Sequence, residues 1–199
     1  MKRFILMSIV LLGMGSLVSC LAGNRVTEER RVEGFRSIDI NGVASVYFTQ
    51  ADAYAFRMEG DENLVKATSA EVENGTLVVS QRKVRKSNKG LTIYISAPEL
   101  EAVSFNGVGS FRCKDRLDAD DIRFDVDAVG TLSVDDLHCR NLTLDFDGVG
   151  DASLHVDCDM LEAEVDGVGS VTLSGRAGNS KISRSGVGSC NVRNLKVGE

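Results

Sequence analysis

Two files of acidic residues and one pair of evenly placed cysteines are the groups in this 199-residue chain whose types and spacing point to chemistry. Asp125, Asp145 and Glu164 follow one another at intervals of 20 and 19 residues, and Asp127, Asp147 and Asp166 repeat those intervals two positions further on. Asn106 and Ser185 occupy the equivalent places at the two ends of the second file. If the units that carry them stack at strand spacing, about 4.8 Å, six carboxylates share one face and repel, so something must compensate them. Hard oxygen ligands at adaptable spacing suit calcium, and a calcium-binding strip is the chemical reading of these six residues. The structural reading is that an aspartate before a glycine bonds to its own turn backbone, the rest being a solvated face.

Cys139 and Cys158 each stand three residues before a strand leucine, Leu142 and Leu161. Stacked units would bring their Cα atoms to about 5 Å, within disulfide range. In an oxidising compartment a Cys139–Cys158 bridge follows, and a reduced pair at a corner is the alternative. Cys113 and Cys190 fall on the apolar phase of an alternating pattern and read as small core residues. His138 and His155 sit at different positions in their units, and no His-x-x-x-His or Cys-x-x-Cys spacing calls for a metal. No serine stands in a nucleophile-elbow context, so no catalytic residue and no cofactor is assigned. Arg82, Lys83, Arg85, Lys86 and Lys89 surround Ser87-Asn88, as a contact for an anionic sugar or lipid headgroup or as a solvated loop between strands.

The elements that would position these groups are short strands joined by glycine corners. Gly107-Val108-Gly109 recurs as Ala128-Val129-Gly130, Gly148-Val149-Gly150, Gly167-Val168-Gly169 and Gly186-Val187-Gly188, with the valines 21, 20, 19 and 19 residues apart. A fixed period near twenty residues marks units that cover one another's apolar faces. Within each unit the apolar residues alternate, as in Ile122-x-Phe124-x-Val126 before a corner and Leu132-x-Val134 after it. That period of two is a half-buried strand. The sequence therefore predicts an all-β, right-handed parallel β-helix, a solenoid with coils of about 19–21 residues. Its inward files are Phe124, Leu144, Ala163 and Val126, Phe146, Val165. An antiparallel meander or sandwich is the competing fold, but it gives no reason for one corner to recur at constant spacing.

Upstream, Asn41-Gly42-Val43-Ala44 is a degenerate corner, Asp61 is placed to cap a helical turn, and Asn74-Gly75 is a hairpin signal. At the N-terminus, Lys2 and Arg3 precede an uncharged run that ends at Leu17-Val18-Ser19-Cys20. This is a secretory signal closed by a lipobox, with Cys20 the acylated residue. Residues 1–19 are thus expected to be a leader, 20–31 a lipid-anchored tether and 32–199 a single domain. Loss of Lys2 and Arg3 takes the formal charge from −6 to −8. An acidic domain of this kind is a poor nucleic-acid binder.

Phe35-x-Ser37-Ile38-Asp39-Ile40, Asn74-Gly75-Thr76-Leu77, Ala97-Pro98-Glu99-Leu100 and the repeated corners resemble the head GIN domain family, in order over roughly residues 32–194. The resemblance implies a pectin-lyase-like β-helix, an envelope location and the role of an auto-transporter adhesin. Three functions are consistent with the residues. The first is an envelope lipoprotein, at the outer membrane, that binds an extracellular glycan or a cell-surface protein. The second is a polysaccharide-acting, lyase-like enzyme, for which Arg123 beside Asp125 is the nearest approach to a site. The third is a subunit that associates end to end.

Overall fold

The computed structural model describes residues 19–21, 25–84 and 90–198. The leader over 1–18, residues 22–24 of the tether, and Arg85, Lys86 and Lys89 of the basic run lie outside the described residues.

The described residues are all-β apart from one short helix. In order come β1 (Ser19–Leu21), β2 (Arg25–Arg30), β3 (Ser37–Gln50), β4 (Ala55–Asp61), α1 (Glu62–Ala67), β5 (Thr68–Glu73), β6 (Thr76–Gln81) and β7 (Thr92–Ala97). The C-terminal half is β8 (Ala102–Phe146), β9 (Val149–Val165), β10 (Val168–Arg184) and β11 (Val187–Val197). Eleven strands form one sheet in the order β1-β2-β4-β7-β3-β8-β9-β10-β11, with the β5–β6 hairpin attached through β6 to β3.

This topology corrects the expectation of a right-handed parallel β-helix. The sheet is mixed: β1–β2, β2–β4, β4–β7 and β5–β6 are antiparallel, whereas β3 pairs in parallel with β6, β7 and β8. The physical reason is local. Asn74 and Gly75 adopt φ of 51° and 80°, the left-handed pair of a tight hairpin turn, and this folds β6 back on β5. Residues 25–97 carry no corner at a fixed period, and five of their strands pair by reversal. The all-β class stands. The C-terminal repeats do pair in parallel, in the register their spacing gives: Val129 with Val149, Val149 with Val168, and Val168 with Val187.

Alternation determines the core. Phe124, Val126, Leu142, Leu144, Phe146, Leu161, Ala163 and Val165 are all buried, with Leu144 opposite Ala163 and Phe146 opposite Val165. At the other end Phe35, Ile38, Val46, Phe48, Met58 and Ile93 close the core. Asp61 caps α1 as its sequence position requires, its Oδ1 accepting from the Asn63 N–H at 2.9 Å.

Candidate binding surface

Alternation runs through the corners at Val129, Val149 and Val168, and this determines what the corner shows to solvent. Phe124, Val126, Ala128, Leu132 and Val134 are buried, so Val129 has the outward phase. Val43, Val108, Val129, Val149 and Val168 are each 47–51% exposed, and Val187 is 76% exposed. Val43 lies opposite Val108 on the neighbouring strand, and Val129, Val149, Val168 and Val187 continue in direct register. Six valines at strand spacing make an apolar row about 24 Å long. The sequence carries this signal in its parity and in the even spacing of the valines.

The glycines beside the row allow the strands to close up. A Cβ on Gly130, at φ +156°, would lie 1.7 Å from the Gly109 carbonyl oxygen; on Gly169, at φ +150°, it would lie 1.8 Å from that of Gly150. At Gly130 and Gly169 the column leaves no room for a side chain. The predicted corner glycines thus act through backbone approach, with the valine between each pair left as the exposed group.

The acidic files flank the row. Asp125 and Asp145 are compensated by Arg123, whose Nη2 lies 3.5 Å from Asp125 Oδ2 and 3.2 Å from Asp145 Oδ2. Asp145 pairs in register with Glu164, and the Ser185 hydroxyl donates to Asp166 Oδ1 at 2.7 Å. Asp127 and Asp147 are exposed at the corner. Among the described residues no group of three or more His, Cys, Asp or Glu is placed to hold a metal ion. The carboxylates therefore meet a guanidinium and a hydroxyl here.

Cys139 and Cys158 are brought together, directly opposite each other on β8 and β9, and both are free thiols. The Cys139 S–H donates to the Cys158 sulfur, which holds the Cys158 thiol below and pushes the Cys139 thiol above the ordinary range. Cys113 is buried in the core, where burial pushes its thiol up to about 12, and Cys190 is partly buried opposite Val171. Cys139 opens on a groove lined by Arg36, Glu101, Asp121, Arg123 and Arg140. Its charges are engaged in pairs, Arg36 with Glu99 at 2.9 Å and Arg140 with Asp121 at 3.6 Å. The backbone of Cys20 lies in β1 opposite Val26.

The family described as "Putative auto-transporter adhesin, head GIN domain" matches residues 34–199. Among proteins of known structure, a "putative adhesin" from Bacteroides fragilis is 25% identical, with a TM-score of 0.69 over 84% of this chain and 96% of that one. A "putative lipid binding protein" from Parabacteroides distasonis is 21% identical, with a TM-score of 0.52 over 85% and 97% of the two chains, and shares the fold. No curated protein matches the chain. A match that takes in the β3 corner, the hairpin and every glycine corner places the chain in the head GIN domain family.

Proposed function

We propose that this chain is a non-catalytic adhesion module of the cell envelope, anchored by lipid on Cys20, which binds an extracellular glycan or cell-surface protein through its outward sheet face. The observation that carries the reading is the row of six outward valines, five half-exposed and Val187 more so, in register on a glycine-flattened corner. Isolated exposed valines are ordinary, but a continuous apolar line bordered by polar files is the kind of surface that marks an interaction site. Membership of an adhesin family supports the role, since a binding face needs no reactive centre.

The test is binding of the chain lacking its leader to a glycan array and to whole cells, against a variant with Val129 and Val149 changed to Asp. Whole-cell adhesion that the variant loses while its melting temperature holds supports the reading; whole-cell adhesion indifferent to the row refutes the assigned face. Anchoring is tested separately: acyl labelling of the full chain that persists in C20S rejects the lipobox. Light scattering over a range of concentrations separates a monomeric binder from end-to-end association.

A further inference from the structure

All three tyrosines of the chain, Tyr47, Tyr54 and Tyr94, line one groove on the outward face, and the chain has no tryptophan. They come from β3, from the 51–54 connection and from β7, so the convergence is a product of the fold. Tyr47 and Tyr94 are opposite each other on neighbouring strands, with ring centroids 5.5 Å apart and planes 17° from parallel. Each end of the pair is covered by an arginine in the same register. Arg57 on β4 lies opposite Tyr94, its Cζ 4.2 Å from the ring centroid, and Arg112 on β8 lies opposite Tyr47 at 5.9 Å. The result is a file Arg57–Tyr94–Tyr47–Arg112 across four strands. Tyr54 packs on the buried Phe35 at 5.0 Å and closes one side of the groove, and Thr49 and Ser96 add hydroxyls to its wall.

We propose that this groove binds an anionic glycan, a saccharide that carries carboxylate groups. The inference rests on the adhesion reading above and adds to the valine row a separate saccharide site on the outward phase of β3. A guanidinium stacked on an aromatic face keeps its N–H edge free, and that edge matches a carboxylate bidentately. Arg112 donates to the Ser110 hydroxyl at 2.6 Å and has no carboxylate partner among the described residues, so its remaining donors are available. Arg57 pairs with Glu59 at the far end. Arg57 lines the groove and Arg112 stands beside it on Tyr47; the phenols offer donors and acceptors, and the Thr49 and Ser96 hydroxyls, which donate to Asp115 and to the Ala53 carbonyl, offer acceptors, which suits a ligand that is itself polyhydroxylated. The groove, about 510 Å³, falls within the range of small-ligand sites. Cross-strand pairing alone accounts for two stacked tyrosines. It does not account for the third, brought from a loop, nor for an arginine at each end. A formal charge of −6 disfavours a partner that meets the whole molecule as a polyanionic surface, whereas a flexible acidic sugar chain can reach a local group of arginines such as this.

Because the tyrosines all lie here and tryptophan is absent, intrinsic tyrosine emission reports on this groove alone. The experiment titrates the full chain in mild detergent with uronate oligosaccharides (hyaluronan, oligogalacturonate and alginate fragments), with a neutral N-acetylglucosamine tetramer and with inorganic sulfate. The expected result is a saturable change in tyrosine emission with at least one uronate series. Affinity should fall at least tenfold in R57Q/R112Q at unchanged melting temperature, and the neutral oligomer and sulfate should bind at least tenfold more weakly. Equal uronate binding by the arginine variant, or equal binding of the neutral oligomer, overturns the proposal. If no uronate binds while the chain still adheres to cells, the ligand assignment falls and the adhesion reading survives; if the chain binds nothing, both fall. Should R57Q/R112Q unfold, R112Q alone serves, since it breaks no ion pair.

Discussion

Oxidation of Cys139 and Cys158 is the perturbation whose effect the structure predicts most directly. The residues face each other on adjacent parallel strands, and the free thiols already share a hydrogen bond. Parallel neighbours at about 4.8 Å fall inside the Cα range of disulfides. Oxidised glutathione supplies the oxidant: its S–S bond is reduced to two thiols, the Cys139–Cys158 S–S bond forms, and both protons pass to glutathione. The bridge closes a loop of about 20 residues, for which the chain-entropy relation gives about 3 kcal/mol of stabilisation at 25 °C. For a domain of this size each kcal/mol moves the midpoint by about 2–4 °C, so the melting temperature should rise by about 6–12 °C. Mass spectrometry should show a loss of about 2 Da, with the Cys139 and Cys158 peptides joined until reductant is added. Cys113, buried and with its thiol pushed up to about 12, serves as the unreactive control. Alkylation of both thiols after treatment with oxidised glutathione would refute the geometric argument. A confirmed bridge that left the melting temperature unchanged would refute the loop-entropy argument.

Other outcomes follow from features already described. Gly130→Ala or Gly169→Ala drives a Cβ to within 1.7 or 1.8 Å of a carbonyl oxygen, so urea unfolding should show a loss above about 3 kcal/mol; a loss below about 1 kcal/mol would mean the column can open. Val149→Asp, on the outward phase, should cost under about 1 kcal/mol, and Phe146→Ala, on the inward phase, about 3–5 kcal/mol; similar costs for the two would reverse the parity assignment. Arg176 holds the Asp157 carboxyl below the ordinary range and Lys181 does the same for Glu162. A depressed folded-state pKa contributes stability above the ordinary carboxylate values near 4 and loses it as pH falls through the lowered ones. The melting temperature should therefore drop on acidification below about pH 4, less steeply in R176Q/K181Q, and a profile unchanged by that variant would remove these pairs from the account. Millimolar calcium should leave the melting temperature unchanged, because Arg123 lies between Asp125 and Asp145; a rise of several degrees would show that the acidic files hold the cation.

What could be read in the sequence was local or periodic. The alternation around Phe124 and Phe146, the parallel register of the valines, the cap at Asp61 and the turn at Asn74-Gly75 each depend on residues close together or repeated at one spacing. The direction of pairing in residues 25–97 does not. A strand's alternation states which face is buried and is silent on its neighbour, so the antiparallel placement of β2 and β4 was invisible, and the repeat was extended too far. The tyrosine groove was hidden for the same reason. Tyr47, Tyr54 and Tyr94 become neighbours only because β7 inserts between β4 and β3, a long-range register that no spacing announces. The cysteine pair was legible because both members belong to the periodic half.

The shared register of the corners bears on how such a protein can change over generations. A gene duplication that inserts one whole unit adds one strand, one valine and one glycine pair without disturbing its neighbours, because each unit meets only the units on either side. A one-residue insertion inside a strand instead turns the side chains beyond it onto the wrong face until a bulge restores the parity. Reach at the cell surface is therefore a quantity that selection can adjust only in whole steps, each about 4.8 Å.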